Sequence, residues 1–441
     1  MNLFLQKIYF FKYSSILFLF ILVIPSSVLI NSEILQRFAG IHISNNYNDL
    51  NHYLSLAENL RCSAFYPLWP FLIKSFSHLK YINLHISAIT LSITFGLISL
   101  FIGINTITKL SVNQKSSTIL SYIYVLSPMT VFFFVGYTEA FFSLLSWIAI
   151  SLIIKFHNND SLKFSHYLSV FLIYTLLSLT RATIVQTIFS SFGSLILIKL
   201  NNSSSNNNQF NFKKLIKVSI CMITGCLFGY LLIGIFCSVS GEGFLAPFSY
   251  QKEWGKSLGF RPLFLLNTRS PVIDLWGLYF PFLIFASYLV DFSVLSIKFE
   301  KLSLLIYKNF PMTLIYPPLG LLISILKKSD RKLIRSKSFL VNLSQADDLY
   351  FQENEFLFLY CILFSISHSL ICFFTQEQFL YSLGRYVFGQ PYFYVAFAIL
   401  INSKRRMLIN NPKIILTFSL IISFLYLIKN FVDFGDSKLL L

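Results

Sequence analysis

Four side chains able to do chemistry, Asp49, His52, Glu58 and Arg61, crowd into the stretch 45–70 and lead into an aromatic, proline-rich ramp at 64–70 (AFYPLWP). A carboxylate such as Asp49, within hydrogen-bond reach of a hydroxyl, can take its proton as that weak nucleophile attacks an electrophilic carbon, such as the anomeric carbon of a sugar. If the leaving group is a phosphate, charge collects on it as the bond breaks, and Arg or His donors must face the base across the reacting centre. His52 stands at i+3 from Asp49, on the same helical face, where it serves either as such a donor or as a structural partner of Asp49. Asp49 has a structural alternative of its own, because in Asn48-Asp49-Leu50-Asn51-His52 it precedes a helical-looking stretch and Asp is a favoured N-cap.

Further candidates fall in short polar turns: Tyr137-Thr138-Glu139, Thr180-Arg181, and the segment 376–386, which ends in Gly384-Arg385-Tyr386. A charge at the end of a short apolar helix is costly unless it pairs or faces a wet cavity, so Glu139, Arg181 and Arg385 are expected to look into one cleft with Asp49. The alternative for each is a residue snorkelling to water or a helix-packing ion pair. The stretch 250–262 (YQKEWGKSLGFRP) alternates cationic and aromatic residues; Trp254 can stack on a sugar face while Gln251 and Lys256 bind hydroxyls or phosphate. The candidate set is therefore Asp49 as base, with His52, Glu58, Tyr137, Glu139, Arg181, Gln251, Trp254, Arg385 and Tyr386 as substrate-binding residues. No metal-ligand set and no cofactor are expected. No Asp-x-Asp site suits a nucleotide-sugar donor held through a divalent metal. The six cysteines, Cys62, Cys221, Cys226, Cys237, Cys361 and Cys372, show no metal-ligand spacing and read as packing residues without redox or zinc roles.

The elements that must carry these residues are membrane helices. With 55% hydrophobic, 18% aromatic and 12% charged residues over 441 positions, the chain has too little polar surface to cover a soluble globule of its size. The net charge of +17 comes from short Lys/Arg clusters between apolar runs, as expected of cytoplasmic loops facing anionic headgroups, and nucleic acid is not an expected partner. Taking about 20 apolar residues per crossing, the candidate spans are 13–31, 81–107, 117–135, 140–154, 166–179, 184–200, 218–238, 275–297, 356–374, 386–401 and 414–428, which predicts an all-α polytopic bundle of about eleven helices. Lys7 and Lys12 precede the first run, giving an uncleaved signal-anchor with a cytoplasmic N-terminus. That orientation puts Lys109/Lys115, Lys155/Lys163, Lys213/Lys214/Lys217 and Lys404/Arg405/Arg406 all inside, in accord with the positive-inside rule.

On this topology the outer face receives two long hydrophilic loops, 32–80 and 239–274, together with the short turns that carry the candidate residues. The ramp at 64–70 reads as an aromatic anchor at the interface, compatible with a shallow groove for a polyprenyl chain. The run 302–326, with Lys308, Pro311, Pro317 and Pro318, reads as a broken, re-entrant or interfacial segment. The polar tract 201–211 (NNSSSNNNQFN) reads as a mobile cytoplasmic loop, and 327–355 as a cytoplasmic linker with room for a short surface helix. Residues 1–441 form a single membrane-embedded domain, without an evident internal repeat.

Asn48-Asp49, His52-Tyr53, Leu56-Ala57-Glu58 and the ramp Ala64-Phe65-Tyr66-Pro67-Leu68-Trp69-Pro70 resemble, in order, the first luminal loop of the PIG-V, or GPI mannosyltransferase 2, family of membrane glycosyltransferases with GT-C architecture. The segment 126–142 (LSPMTVFFFVGYTEAFF) is similar to that family's Ser-Pro…Gly-Tyr-[Ser/Thr]-Glu segment, 179–183 (LTRAT) to its Arg-containing turn, and Arg385-Tyr386 to its late Arg-Tyr pair. The matches keep their order over most of the chain. The resemblance implies a dolichol- or polyprenyl-phosphate sugar donor, mannose in the simplest case, inversion at the sugar, and Asp49 as base. Asn48 stands where the family carries tryptophan, and the Gly-Tyr expected after Ala57-Glu58 is absent; both departures bear on acceptor identity. The shortened loop resembles bacterial relatives and points to a bacterial inner membrane, with the endoplasmic reticulum as the alternative.

Two other classes are weighed against the enzyme. A flippase of lipid-linked saccharides would place its ionisable residues near the bilayer midplane between repeat-related helices, whereas these cluster at one face. A structural membrane subunit, alone or with a partner, is the third reading.

Overall fold

The structure is a computed structural model that describes residues 48–111, 114–158, 163–201, 209–253, 256–266, 268, 272–289, 312, 316–326, 349–377, 380–402 and 412–435. The expected signal-anchor at 13–31 and Trp254 lie outside the described residues. In chain order the helices are α1 (Asn48–Glu58), α2 (Leu68–Lys80), α3 (Leu84–Lys109), α4 (Gln114–Val125), α5 (Glu139–Asn158), α6 (Phe164–Thr180), α7 (Ile184–Asn201), α8 (Gln209–Val239), α9 (Ala246–Glu253), α10 (Ile273–Leu289), α11 (Pro317–Leu326), α12 (Leu349–Thr375), α13 (Leu383–Phe388), α14 (Pro391–Asn402) and α15 (Pro412–Gly435). Among the described residues the only β-pairing is an isolated bridge between Lys256 and Gln376.

The protein is an all-α polytopic membrane bundle. Five described helices are long and apolar enough to cross a bilayer: α3, α5, α7, α8 and α12. Four shorter apolar stretches stand beside them, at Phe164–Thr180, Ile273–Ala286, Pro391–Asn402 and Ser419–Asn430. The expected count of eleven full spans is therefore not reached among the described residues. α12 is the central post, with 89% of its apolar window buried, while α7, at 33%, presents most of its surface outward. A helix that is apolar all round can be buried in protein or face lipid, and both kinds occur here. The buried face of α7 is small and hydroxylated (Gln186, Thr187, Ser190, Ser191, Ser194). Small side chains let helix backbones approach, and the hydroxyls of Ser190 and Ser194 return to carbonyls one turn back.

Two expected spans are corrected. The run 117–135 is not one helix: α4 ends at Val125, Ser127 caps a following 3-10 turn at Pro128–Phe133, and that turn is buried in the core. Proline at the first position starts a new turn but cannot continue the old one. The run 386–401 is likewise divided, since Tyr386 belongs to α13 and α14 begins afresh at Pro391. Of the segment 302–326, α11 packs on α10, and the hydroxyl of Tyr316 just before it donates to the carbonyl of Leu266 in the second outer loop. Of the linker 327–355, the part from Leu349 onward is the first turns of α12.

The cysteine reading is also corrected. Cys62 and Cys237 form a disulfide, with Cα atoms 5.0 Å apart and a sequence separation of 175. Sequence spacing could not reveal it, because the partners meet only through the fold. The bridge ties the loop after α1 to the C-terminal end of α8, and disulfides persist in oxidising compartments. The ramp is more than an interfacial anchor: Trp69 is fully buried, with its indole N–H donating to the Gly136 carbonyl at 3.1 Å, and Tyr66 meets Tyr230 of α8 hydroxyl to hydroxyl at 2.9 Å.

Candidate functional site

Four elements distant in sequence deliver four charges to one end of the bundle. Asp49 sits in the first turn of α1, where a carboxylate is favoured by the helix dipole. Glu139 opens α5 immediately after a turn at Gly136, whose φ of +81° is a conformation that side chains resist. A Cβ at Gly136 would also come within 2.9 Å of Leu50, beside Asp49, so the turn brings the Tyr137-Thr138-Glu139 corner directly against α1. Arg181 caps the C-terminus of α6 in extended conformation, which turns its side chain off the helix. Arg385 lies on the short helix α13, which is hung from α10 by the Gly384 N–H donating to Asp274 Oδ1 at 2.8 Å. Only a residue without a side chain fits at 384, since a Cβ there would come within 2.1 Å of Ile273.

The charges alternate. Glu139 Oε1 accepts from both Arg181 Nη2 and Arg385 Nε, and Arg385 Nη1 reaches Asp49 Oδ2 at 2.7 Å. The side chains are 14% (Arg181), 1% (Glu139), 9% (Arg385) and 22% (Asp49) exposed, so the row runs from a buried centre to Asp49 at its most open end. Aromatic and hydroxyl groups hold the cations in place. The Arg385 guanidinium lies 4.8 Å from the ring centroids of both Phe132 and Tyr137, and Arg181 lies 5.3 Å from that of Tyr386. Arg181 Nε donates to Thr138 Oγ1 at 3.2 Å, and the Tyr53 hydroxyl donates to the same oxygen at 3.5 Å. Burial, reinforced by the Glu139 and Asp49 carboxylates, pushes the Tyr53 and Tyr137 phenols well above their ordinary range, so both remain neutral. Burial opposes the Arg385 charge, but Glu139 and Asp49 more than offset this and hold its pKa above the usual value. Two atoms of the row, Glu139 Oε2 and Arg181 Nη1, are buried without a hydrogen-bond partner among the described residues.

Of the candidate residues, Asp49, Tyr137, Glu139, Arg181, Arg385 and Tyr386 are brought together. His52 is exposed on α1 and stacks on Phe65 of the ramp, with ring centroids 5.4 Å apart. Glu58 lies at the far end of α1, exposed, its backbone carbonyl accepting from Lys74 at 3.1 Å. Gln251 donates to the Ala64 carbonyl at 3.1 Å and so ties the second outer loop to the ramp. The candidate set left out Tyr53, Thr138, Phe132 and Asp274. Tyr53 and Thr138 adjoin named candidates, and the signal for Asp274 was an acid standing just ahead of an apolar run, where it is fully buried.

Compared with protein-family models, with curated proteins and with solved structures, the chain finds no match.

Proposed function

We propose that the chain is a membrane glycosyltransferase that moves a hexose, mannose in the simplest case, from a polyprenyl- or dolichol-phosphate donor to a lipid-linked or glycan acceptor with inversion. The observation that supports this most is the alternating row Arg181–Glu139–Arg385–Asp49, with its carboxylate of greatest exposure at the open end. In the reaction the acceptor oxygen forms a bond to the anomeric carbon as the bond from that carbon to the phosphate oxygen breaks. The acceptor proton passes to Asp49, and the electron pair leaves on the polyprenyl phosphate. Arg181 Nη1 and Glu139 Oε2, both buried without a partner among the described residues, would respectively donate to a phosphate oxygen and accept from a sugar hydroxyl. The resemblance of the first outer loop and the later Arg-containing turns to GPI mannosyltransferase 2 supports the same reading, and the shortened loop supports a bacterial inner membrane with the site on its outer side.

The test uses sealed vesicles containing the full chain and radiolabelled polyprenyl-phosphate mannose. Asp49→Asn should abolish transfer to acceptor while the protein still inserts and accumulates. Full transfer by that variant would remove Asp49 from the mechanism, and movement of label across the bilayer without transfer would replace the enzyme with a flippase. Mass spectrometry of envelope glycolipids with and without the gene would then identify the acceptor.

A further inference from the structure

The second outer loop, expected to be hydrophilic, carries a row of exposed apolar side chains: Leu245, Phe248, Leu258, Phe260, Leu263 and Leu266, with Leu258 88% and Leu263 74% exposed. In a loop projecting into water such a patch would be unfavourable. Three contacts fix its height. The Phe248 ring of α9 stacks on Tyr230 of α8, with centroids 5.5 Å apart, and Tyr230 lies about 13 Å below the outer end of that helix at 1.5 Å per residue. Phe244 folds down over Gly234, so closely that a Cβ there would come within 2.4 Å of its ring. On the other side of the loop, the Leu265 carbonyl accepts from the Tyr279 hydroxyl at 2.8 Å, about 9 Å along α10 from its outer end.

A hydrocarbon core about 30 Å thick takes up about 20 helical residues. Counted from Lys217, the last basic residue in the first turns of α8, it extends nearly to Val239, so Tyr230 and Gly234 lie within its outer half. α8 carries exposed apolar side chains of its own (Leu227, Leu231, Ile235), and Leu245 and Phe248 add to them where the Phe248 ring stacks on the helix. Lys252, Lys256 and Arg261 are interspersed along the same loop, the cationic pattern that anionic headgroups attract.

We propose that the described stretches 243–253 and 256–266 form an apron submerged in the outer leaflet, their exposed apolar side chains among lipid acyl chains and Lys252 and Arg261 at the headgroups. The apron borders the charged site: Gln251 holds the ramp, and the Lys256 ammonium lies 4.8 Å from the centroid of Tyr381, on the segment leading into α13. The inference rests on the chain crossing a membrane and is independent of the proposed transfer chemistry.

Photoactivatable p-benzoylphenylalanine placed singly at Leu258, Leu263, Leu231 and Lys163 of the full chain, irradiated in native membranes, tests it by the mass of the adducts. Leu231 is the lipid-facing reference on α8, and Lys163 the exposed reference in an inner loop. Lipid adducts at Leu258 and Leu263 should form in yields within about threefold of those at Leu231, with almost none at Lys163, as expected for a face buried among acyl chains. Adducts to another protein chain, or no adduct at either loop position while Leu231 labels lipid, would overturn the apron. Formation of the Cys62–Cys237 bridge, read by gel mobility with and without reductant, confirms that each variant has folded.

Discussion

The two ends of the bundle handle buried charge in opposite ways. At the end away from the charge row, Glu355 at the start of α12 accepts from Asn201 of α7 and Tyr288 of α10, each at 2.8 Å, and its partners among the described residues are neutral. Beside it, a cavity of about 30 Å³ lies between α5, α8 and α12. At the outer end, two carboxylates and two guanidiniums alternate, with a donor and an acceptor atom to spare. A single carboxylate that takes neutral donors on one oxygen clamps three helices. A charge row is costly to desolvate and adds little net stability compared with apolar packing, and this cost is what the proposed function accounts for.

The largest expected difference is catalytic. Asp49→Asn should lower transfer by about 10²–10⁴-fold, the usual worth of a positioned base, whereas Glu355→Gln should leave the turnover rate nearly unchanged; equal losses would erase the distinction between the ends. Next in size is Glu139→Gln, which leaves Arg181 and Arg385 facing each other without the carboxylate between them. It should destabilise the protein by about 3–5 kcal/mol, the range for breaking a buried ion pair, read by thermal unfolding in detergent. Coupling that variant with Arg181→Met should give a smaller loss than the sum of the two single changes. Gly136→Ala should cost about 1–3 kcal/mol from forcing a side chain into the left-handed region, and should reduce transfer along with stability because the corner carrying Glu139 must move. The smallest effect is the stability change in Glu355→Gln, about 1 kcal/mol, for weakening one set of hydrogen bonds.

The comparison also shows what a linear reading can capture. Asp49, Glu139, Arg181 and Arg385 were visible because each charge stands at the edge of an apolar run, where desolvation demands a reason. Their pairing was not visible: Glu139 and Arg385 are far apart in sequence, and no periodicity links them. The helical class followed from hydropathy, but hydropathy alone did not register that Pro128 divides one apolar run or that Pro391 restarts another. The apolar side chains of the second outer loop were obscured by the lysines among them, and their depth became legible only through Tyr230 and Tyr279. Cys62 and Cys237 carried no local spacing to signal a bond.

The charge row has an electrical consequence. Two positive and two negative groups sum to zero, so the quartet can shift as a unit within an energised membrane without doing net work against the field. A lone guanidinium moved across the whole potential would instead exchange about 2.3 kcal/mol per 100 mV. A concerted shift of the quartet is thereby uncoupled from swings in membrane voltage.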